Sequence, residues 1–430
     1  MNKKLWNTGV SKLNIKISEY IFSKNLIEDK RLLMHDVFAS KAHAKMLLKI
    51  GIFTEIELEK ICKTLDEILN LGDNFPIEGF EDVHSAIENF LTEKLGEIGK
   101  KIHTARSRND QVLTATRLFM LHEFQNIKTE TKNLATKLKY FALKNEFIPM
   151  PGFTHMQHAM PSSFGQWAGA FLESLLNDLQ CINSAIILIN QSPLGSAAGF
   201  GTEFPIDRQF TTTEIGFSKT MINSIFCQNS RGKIEVFAMS CLMQIMMTLE
   251  KMANDIIIFY SQEFGFLTAT NEITTGSSIM PQKRNLDVME VIRAKSSQVF
   301  SNITQITISY HNLISGYNKD MKFTKKCIME SIDITHQSLV VMAICLENIF
   351  PNEERMMEVF TKDASIFATD FANNLVMKNG ISFRDAYHET KNSLDKLTQI
   401  NPIESIKSKT HIGSTGNLMI NEIYNEIIRL

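Results

Sequence analysis

Five polar segments of this sequence combine residue types that can hold an anion and move a proton. They are Glu81-Asp82-Val83-His84, His103-Thr-Ala-Arg-Ser-Arg-Asn-Asp110, Gly152-Phe-Thr-His-Met-Gln-His158, Gly276-Ser-Ser-Ile-Met-Pro-Gln-Lys-Arg-Asn285 and Gly316-Tyr-Asn-Lys-Asp320. Three of them feed into expected helix starts: Asn109 and Asp110 precede the apolar run from Val112, Ser162 and Ser163 follow Pro161, and Asn285 precedes the run from Val288. Taken singly these residues are N-caps. A helix N-terminus, however, also presents unpaired N–H groups and partial positive charge to an anion. Arg106, Arg108, Lys283 and Arg284 in the same segments therefore point to an anionic, carboxylate-bearing ligand. His155 is more ordinarily a structural histidine, but its place between Thr154 and Gln157, just before Pro161, makes it a candidate to carry a proton near neutral pH. His155 and His158 could face a metal, yet no Cys or carboxylate stands at ligand spacing, so that reading is the weaker one. Gly276-Ser277-Ser278 reads as a linker or, between two long helices, as a mobile active-site loop. The chain has no GxSxG elbow and no phosphate-cradling GxxxxGK[ST], so neither of those chemistries is expected.

The elements that must position these residues read as helical. Nine prolines, at 76, 149, 151, 161, 193, 205, 281, 351 and 402, leave the stretches 77–148, 206–280 and 282–350 uninterrupted, each long enough for one or two extended helices. Leu242, Met246, Leu249, Ala253, Ile256 and Tyr260 recur in steps of 4 and 3, the seam of a packed helix. Ile292, Val299, Ile303 and Ile306 continue such a stripe. Helices of ~25 residues would each run about 37 Å, so a long central bundle is expected. Strand-like alternation is scarce and no hairpin signal stands out; the fold class reads as all-α. Met239, Met243, Met246, Met247 and Met252 read as core filler and interface material. A helix this apolar all round needs cover on most sides, which self-association would supply.

Composition bounds the function further. The 430 residues carry 45 Lys+Arg against 47 Asp+Glu, a net charge of -2, which excludes a strongly basic nucleic-acid binder. No unbroken apolar run approaches the ~18 residues of a membrane span, so no membrane association is expected. Met1–Trp6 has a charged start without an apolar stretch behind it, so no signal peptide is expected. Six cysteines without a CxxC spacing read as buried thiols of a reducing compartment, and a cytoplasmic location is expected.

Together the polar segments resemble the argininosuccinate lyase family of the fumarase/aspartase superfamily. Gly276-Ser-Ser-Ile-Met-Pro-Gln-Lys-Arg-Asn285 is similar to the superfamily signature GSSxMPxKxNP, and Lys101-Ile-His-Thr-Ala-Arg-Ser-Arg-Asn-Asp-Gln-Val112 to that branch's KxHTGRSRNDQV. Pro151-Gly-Phe-Thr-His-Met-Gln157 matches PGYTHLQ. Pro193-Leu-Gly-Ser196 with Phe204-Pro-Ile-Asp-Arg208, Tyr317-Asn-Lys-Asp320, and Ala368-Thr-Asp-Phe-Ala372 with Ser382-Phe-Arg384 extend the likeness, in the family's order, from about Leu5 into the last quarter of the chain. The resemblance implies a helical domain at 1–110, a long-helix bundle at 111–352 and a small helical domain at 353–430. It implies a homotetramer with a twenty-helix core, active sites shared between subunits, and cleavage of argininosuccinate to L-arginine and fumarate without metal or organic cofactor. It makes Ser277 the base, with Ser278 the less favoured neighbour, and gives His155 the acid or relay role, positioned by Glu290. Lys283 and Arg108 would hold carboxylates; Asn109, Thr154, Asn285, Tyr317 and Lys325 match substrate contacts. Arg231 takes the place of an arginine near the substrate, and His84 that of a histidine in the first conserved region.

Several positions depart from the family pattern. Ala105 stands at a usual Gly, His158 at a common Arg, Met160 at a Gln, and Leu286 at the proline after Asn. Asn229-Ser-Arg-Gly-Lys233 differs from the usual SDRD pattern. Lys322 replaces a Gln that meets the arginine end of the substrate, which would weaken binding unless the lysine points away. Two alternatives follow: another fumarate-releasing lyase, acting on adenylosuccinate or aspartate, or a non-catalytic helical assembly that keeps the fold.

Overall fold

The computed structural model describes residues 26–430 together with Lys16, Ile17 and Tyr20. The reading of Met1–Trp6 and the start of the family likeness near Leu5 lie outside the described residues. By packing, the chain divides into two compact units. The first holds the described residues up to Asn126 with Ile182–Leu242 and Val299–Asp333; the second holds Ile127–Cys181, Met243–Gln298 and Ile334–Leu430.

The first unit opens with the helices α1 (Leu33–Lys49), α2 (Glu55–Leu71) and α3 (Val83–Leu95). Local chemistry sets their ends. A capping box starts α2: Thr54 Oγ1 accepts the Glu57 N–H at 3.3 Å and Glu57 Oε2 accepts the Thr54 N–H at 2.9 Å, satisfying two donors the helix leaves open. Asp82 caps α3 by accepting the Ser85 N–H at 2.7 Å.

Five long helices follow: α4 (Arg108–Lys144), α5 (Phe164–Ile189), α6 (Lys233–Tyr260), α7 (Asp287–Tyr310) and α8 (Thr324–Glu347). The stripe on α6 is buried as its spacing predicts, with Leu242, Met246, Leu249, Ala253 and Ile256 all at 0% exposure; Tyr260 is half-buried. On α7, Ile292, Val299 and Ile306 are buried. Polar ties fix the helices within each unit. In the second, Trp167 Nε1 donates to Asp255 at 3.0 Å and Ser296 to Glu250 at 2.7 Å; in the first, Asn302 donates to Ser331 at 3.1 Å. Beyond α8, short helices surround a small core of Phe360, Ile366 and Phe367.

Two expectations change. Phe164–Ile189, Ser224–Tyr260 and Lys319–Glu347 are long and apolar enough to cross a membrane by length and composition, although none is an unbroken apolar run. Their polar residues meet partners inside the protein, as when Thr248 donates to Asp178 at 2.8 Å, and the hydropathy is that of helices covered on several sides. The mainly helical architecture is also interrupted by short ribbons. The longest is an antiparallel hairpin of β1 (Pro149–Thr154) and β2 (Gln157–Ser163). Its turn is His155-Met156, both with positive φ, 53° and 60°. Such a two-residue turn normally takes Asn-Gly or a similar pair, and the three prolines in the strands further hid it from sequence reading.

Candidate active site

In the first unit, the residues of three distant segments line a cavity of about 90 Å³. The first turn of α4 brings Arg108 and Asn109. The turn before α6 brings Arg231, the segment before α8 brings Tyr317 and Lys322, and the first turn of α8 brings Lys325. Arg108 Nη1 donates to Gln111 Oε1 at 2.9 Å and Nη2 to Ser85 Oγ at 3.3 Å, with Glu88 at 3.5 Å and Asp82 at 3.8 Å. Arg231 is buried, and its Nε donates to Gln228 Oε1 at 3.1 Å while Nη2 donates to the Asn109 carbonyl. Its guanidinium lies over the Tyr317 ring, 5.2 Å from the centroid, a cation–π contact. No carboxylate reaches ion-pair distance of Arg231 among the described residues, and burial pulls its pKa down. Burial raises the Tyr317 hydroxyl, against the opposing pull of Arg231. Lys325 forms a buried ion pair with Asp29. Lys322 faces the same cavity; burial lowers its pKa, and the neighbouring Lys319 adds to the effect.

Behind this wall lies a buried charge network. Asp36, fully buried, accepts from His84 Nδ1 at 2.8 Å and from Gln111 Nε2 at 2.9 Å. Burial alone would raise its carboxyl, but the His84 charge and hydrogen bond, with Arg106, bring it down to about 2. His84 itself is at 0% exposure and does not line the cavity. Its Nδ1 is held by Asp36, and its Nε2 is buried without a hydrogen-bond partner among the described residues. Asp110 turns the other way: Oδ1 accepts the Ser107 N–H at 2.9 Å, and Oδ2 accepts those of Gly195 at 3.0 Å and Ala197 at 2.9 Å. One carboxylate thus caps α4 and ties the Pro193-Leu-Gly-Ser196 loop to it. Ala105, in the turn before α4, has φ 59°, the left-handed region where a Cβ is strained.

The second unit holds the other candidates. Thr275–Gly276 pairs antiparallel with Arg284–Asn285, so the hydroxyl-rich segment is a closed loop rather than a linker. Within it Ser277 Oγ accepts the Met280 N–H at 3.2 Å and the Ile279 N–H at 3.4 Å. Ser278 is exposed. Lys283, Asn285 and Glu290, the last on the first turn of α7, line a cavity of about 610 Å³. Thr154 pairs with Gln157 at the hairpin end, and His155 stands exposed at its tip. Two successive non-glycine residues held at positive φ store strain, which fits a tip placed for use. Neither the His155 nor the Glu290 side chain makes a hydrogen bond or ion pair among the described residues, so the implied His155–Glu290 pairing has no contact in this structure.

Sequence reasoning missed Asp29, Asp36, Gln111 and Glu235. Gln111 lies inside the motif of 101–112 and was open to notice. Asp29 meets a partner 296 residues away, a distance no spacing argument crosses.

Comparison with known proteins agrees with this arrangement of long helices. A family described as Lyase matches residues 16–301. Among solved structures, EDDS lyase in complex with formate superposes with a TM-score of 0.81 at 20% identity, covering 99% of this chain and 92% of that one. A class II fumarase from Schistosoma mansoni superposes at 0.75 and 16% identity, covering 91% and 95%. Fold and family together define a lyase of the fumarase/aspartase superfamily. Argininosuccinate lyase from Thermotoga neapolitana is 42% identical over 90% of this chain and 97% of its own length. That from Phocaeicola vulgatus is 39% identical over 97% and 93%. The chain belongs to the argininosuccinate lyase family.

Proposed function

We propose that the protein cleaves argininosuccinate reversibly to L-arginine and fumarate, the last step of arginine biosynthesis, by general acid/base elimination of a carbon–nitrogen bond. Ser277 takes the Cβ proton of the succinyl group. That proton lies beside a carboxylate and is weakly acidic, so its removal builds charge that fixed cations and N–H dipoles must stabilise in the transition state. A serine hydroxyl is a poor base in water, and it needs donors that favour its anionic form together with exclusion of water. The observation that carries the reading is the Ser277 Oγ accepting two loop N–H groups in a loop that also bears Lys283. Lys283 holds the developing dianion, His155 protonates the departing guanidine, and Glu290 orients His155. Arg108, Asn109, Thr154, Asn285, Tyr317, Lys325 and Arg231 bind substrate, with Ser278 beside the base. The proposal calls on no metal or organic cofactor.

The working form is a homotetramer with active sites shared between subunits. It is supported by apolar side chains left open along the long helices, among them Met247 at 51%, Phe300 at 59% and Ile308 at 68% exposure, more than a lone bundle would leave to water. Free cysteines alone, among the described residues, support a cytoplasmic location.

Lys322 on the cavity wall favours a second reading, a lyase for another amino-succinate. Assaying the purified protein for fumarate release from argininosuccinate, adenylosuccinate and aspartate decides between them. Release from argininosuccinate alone is expected; release only from one of the others overturns the proposal.

A further inference from the structure

Glu235 lies at the start of α6, is 3% exposed, and lines the cavity of the first unit. Its Oε1 stands 3.3 Å from Arg117 Nη2, while Oε2 is buried without a hydrogen-bond partner among the described residues. A buried carboxylate oxygen left unmet is costly, so it signals a ligand or a water. The same cavity holds Arg231, a buried cation with no carboxylate at ion-pair distance among the described residues. Besides the paired Asp29 and Lys325, the wall of this cavity of about 90 Å³ thus carries a buried carboxylate oxygen with no hydrogen-bond partner and a buried guanidinium with no carboxylate among the described residues. The chemistry of three candidate groups separates them. A dicarboxylate would satisfy Arg231 and be repelled by Glu235. A guanidinium would satisfy Glu235 and be repelled by Arg231. A zwitterionic α-amino-acid head meets both: its carboxylate suits the guanidinium and its ammonium suits the carboxylate.

We propose that Glu235 is a specificity-determining residue, whose Oε2 accepts a hydrogen bond from the α-ammonium at the amino-acid end of the substrate while Arg231 takes the neighbouring carboxylate. Lys322, on the same wall, then adds to the cations around that carboxylate rather than opposing a guanidinium. The inference rests on the reading of the reaction given above, and it concerns only which end of the substrate this cavity receives.

The test compares L-arginine with 5-guanidinopentanoic acid, which lacks only the amino group, as inhibitors of fumarate release. A site built to bond an N–H rejects the analogue without it, so arginine is expected to bind at least about tenfold more tightly to the unaltered protein. In Glu235→Gln that preference falls to about threefold or less and the KM for argininosuccinate rises about tenfold, with the larger effect on KM than on kcat. Should the Gln variant fail to fold, Glu235→Asp, which keeps the charge facing Arg117, is read the same way. Equal inhibition by the two compounds in the unaltered protein, or an undiminished preference in the variant, overturns the assignment and leaves Oε2 to a water. Fumarate release in the same preparation reports separately on the reaction itself: its absence would sink the parent reading, whereas release with unchanged discrimination overturns only the role of Glu235.

Discussion

The two regions that carry the candidate chemistry are built in opposite ways. In the cavity wall of the first unit and the layer behind it, charges are buried and mostly pre-paired: Lys325 with Asp29, Arg117 with Glu235, and His84 with Asp36. In the 276–290 segment of the second unit, Lys283 and Glu290 are exposed and make no ion pair among the described residues. The packing beneath differs too. The second unit rests on an aromatic cluster in which Phe164, Trp167 and Phe259 meet edge to face, whereas the first buries charge. A buried, paired cation keeps its geometry without ligand and so suits recognition. An exposed loop is organised only when ligand or a neighbouring chain closes over it, which suits a base that must be shielded from water at the moment of reaction.

Four changes would break or sharpen that contrast. Ser277→Ala should lower kcat by more than about 1000-fold and leave helical content and assembly intact; retained turnover would move the base off this loop. Next comes Asp36→Asn, which strands His84 in the charged network and should cost about 3 kcal/mol in denaturant unfolding near pH 7.

Acid should show the same asymmetry between the units. The Asp36 carboxyl, at about 2 in the fold, stabilises the protein above the unfolded value and loses that contribution as pH falls through 2. Burial brings His43 down to about 3, so its neutral form also costs stability as pH falls from the ordinary histidine range toward 3. In the second unit burial pushes Asp178 up to about 6, opposed only by the hydrogen bond from Thr248. Its penalty is absent below the unfolded carboxyl range and complete above 6. Asp178→Asn should therefore stabilise by about 2–3 kcal/mol at pH 7, a gain that fades toward pH 4; thermal unfolding at both pH values measures it, and a pH-independent effect would refute it. The smallest change is Ala105→Gly, which relieves a left-handed alanine and should add about 0.5–1 kcal/mol.

Much of the fold was legible because helical burial repeats every three or four residues, and the stripe on α6 needed nothing else. The entrance at Ser163 was legible for a similar local reason, since its Oγ accepts the Gln166 N–H at 3.1 Å; at α4 the capping hydroxyl is instead Ser107, which accepts the Asn109 N–H at 3.3 Å. The hairpin was not legible, since a His-Met turn carries none of the usual glycine chemistry and is held in place by its surroundings. The setting of His84 was hidden for the same kind of reason. Its neighbour in sequence, Asp82, caps α3, while its own partner Asp36 lies 48 residues away.

The sequence by itself determined the helical class, the near-neutral charge and the clustering of cations at helix entrances, because each depends on residue type and short spacing. Only the tertiary structure decided which charges pair with one another and which are buried without an opposite charge. Lys325 is paired with Asp29, Arg231 is buried with hydrogen bonds to Gln228 and the Asn109 carbonyl but no carboxylate among the described residues, and the second oxygen of Glu235 is buried and unmet. That distinction depends on distances of a few ångströms between residues far apart in the chain, where burial raises the cost of every charge left without a partner.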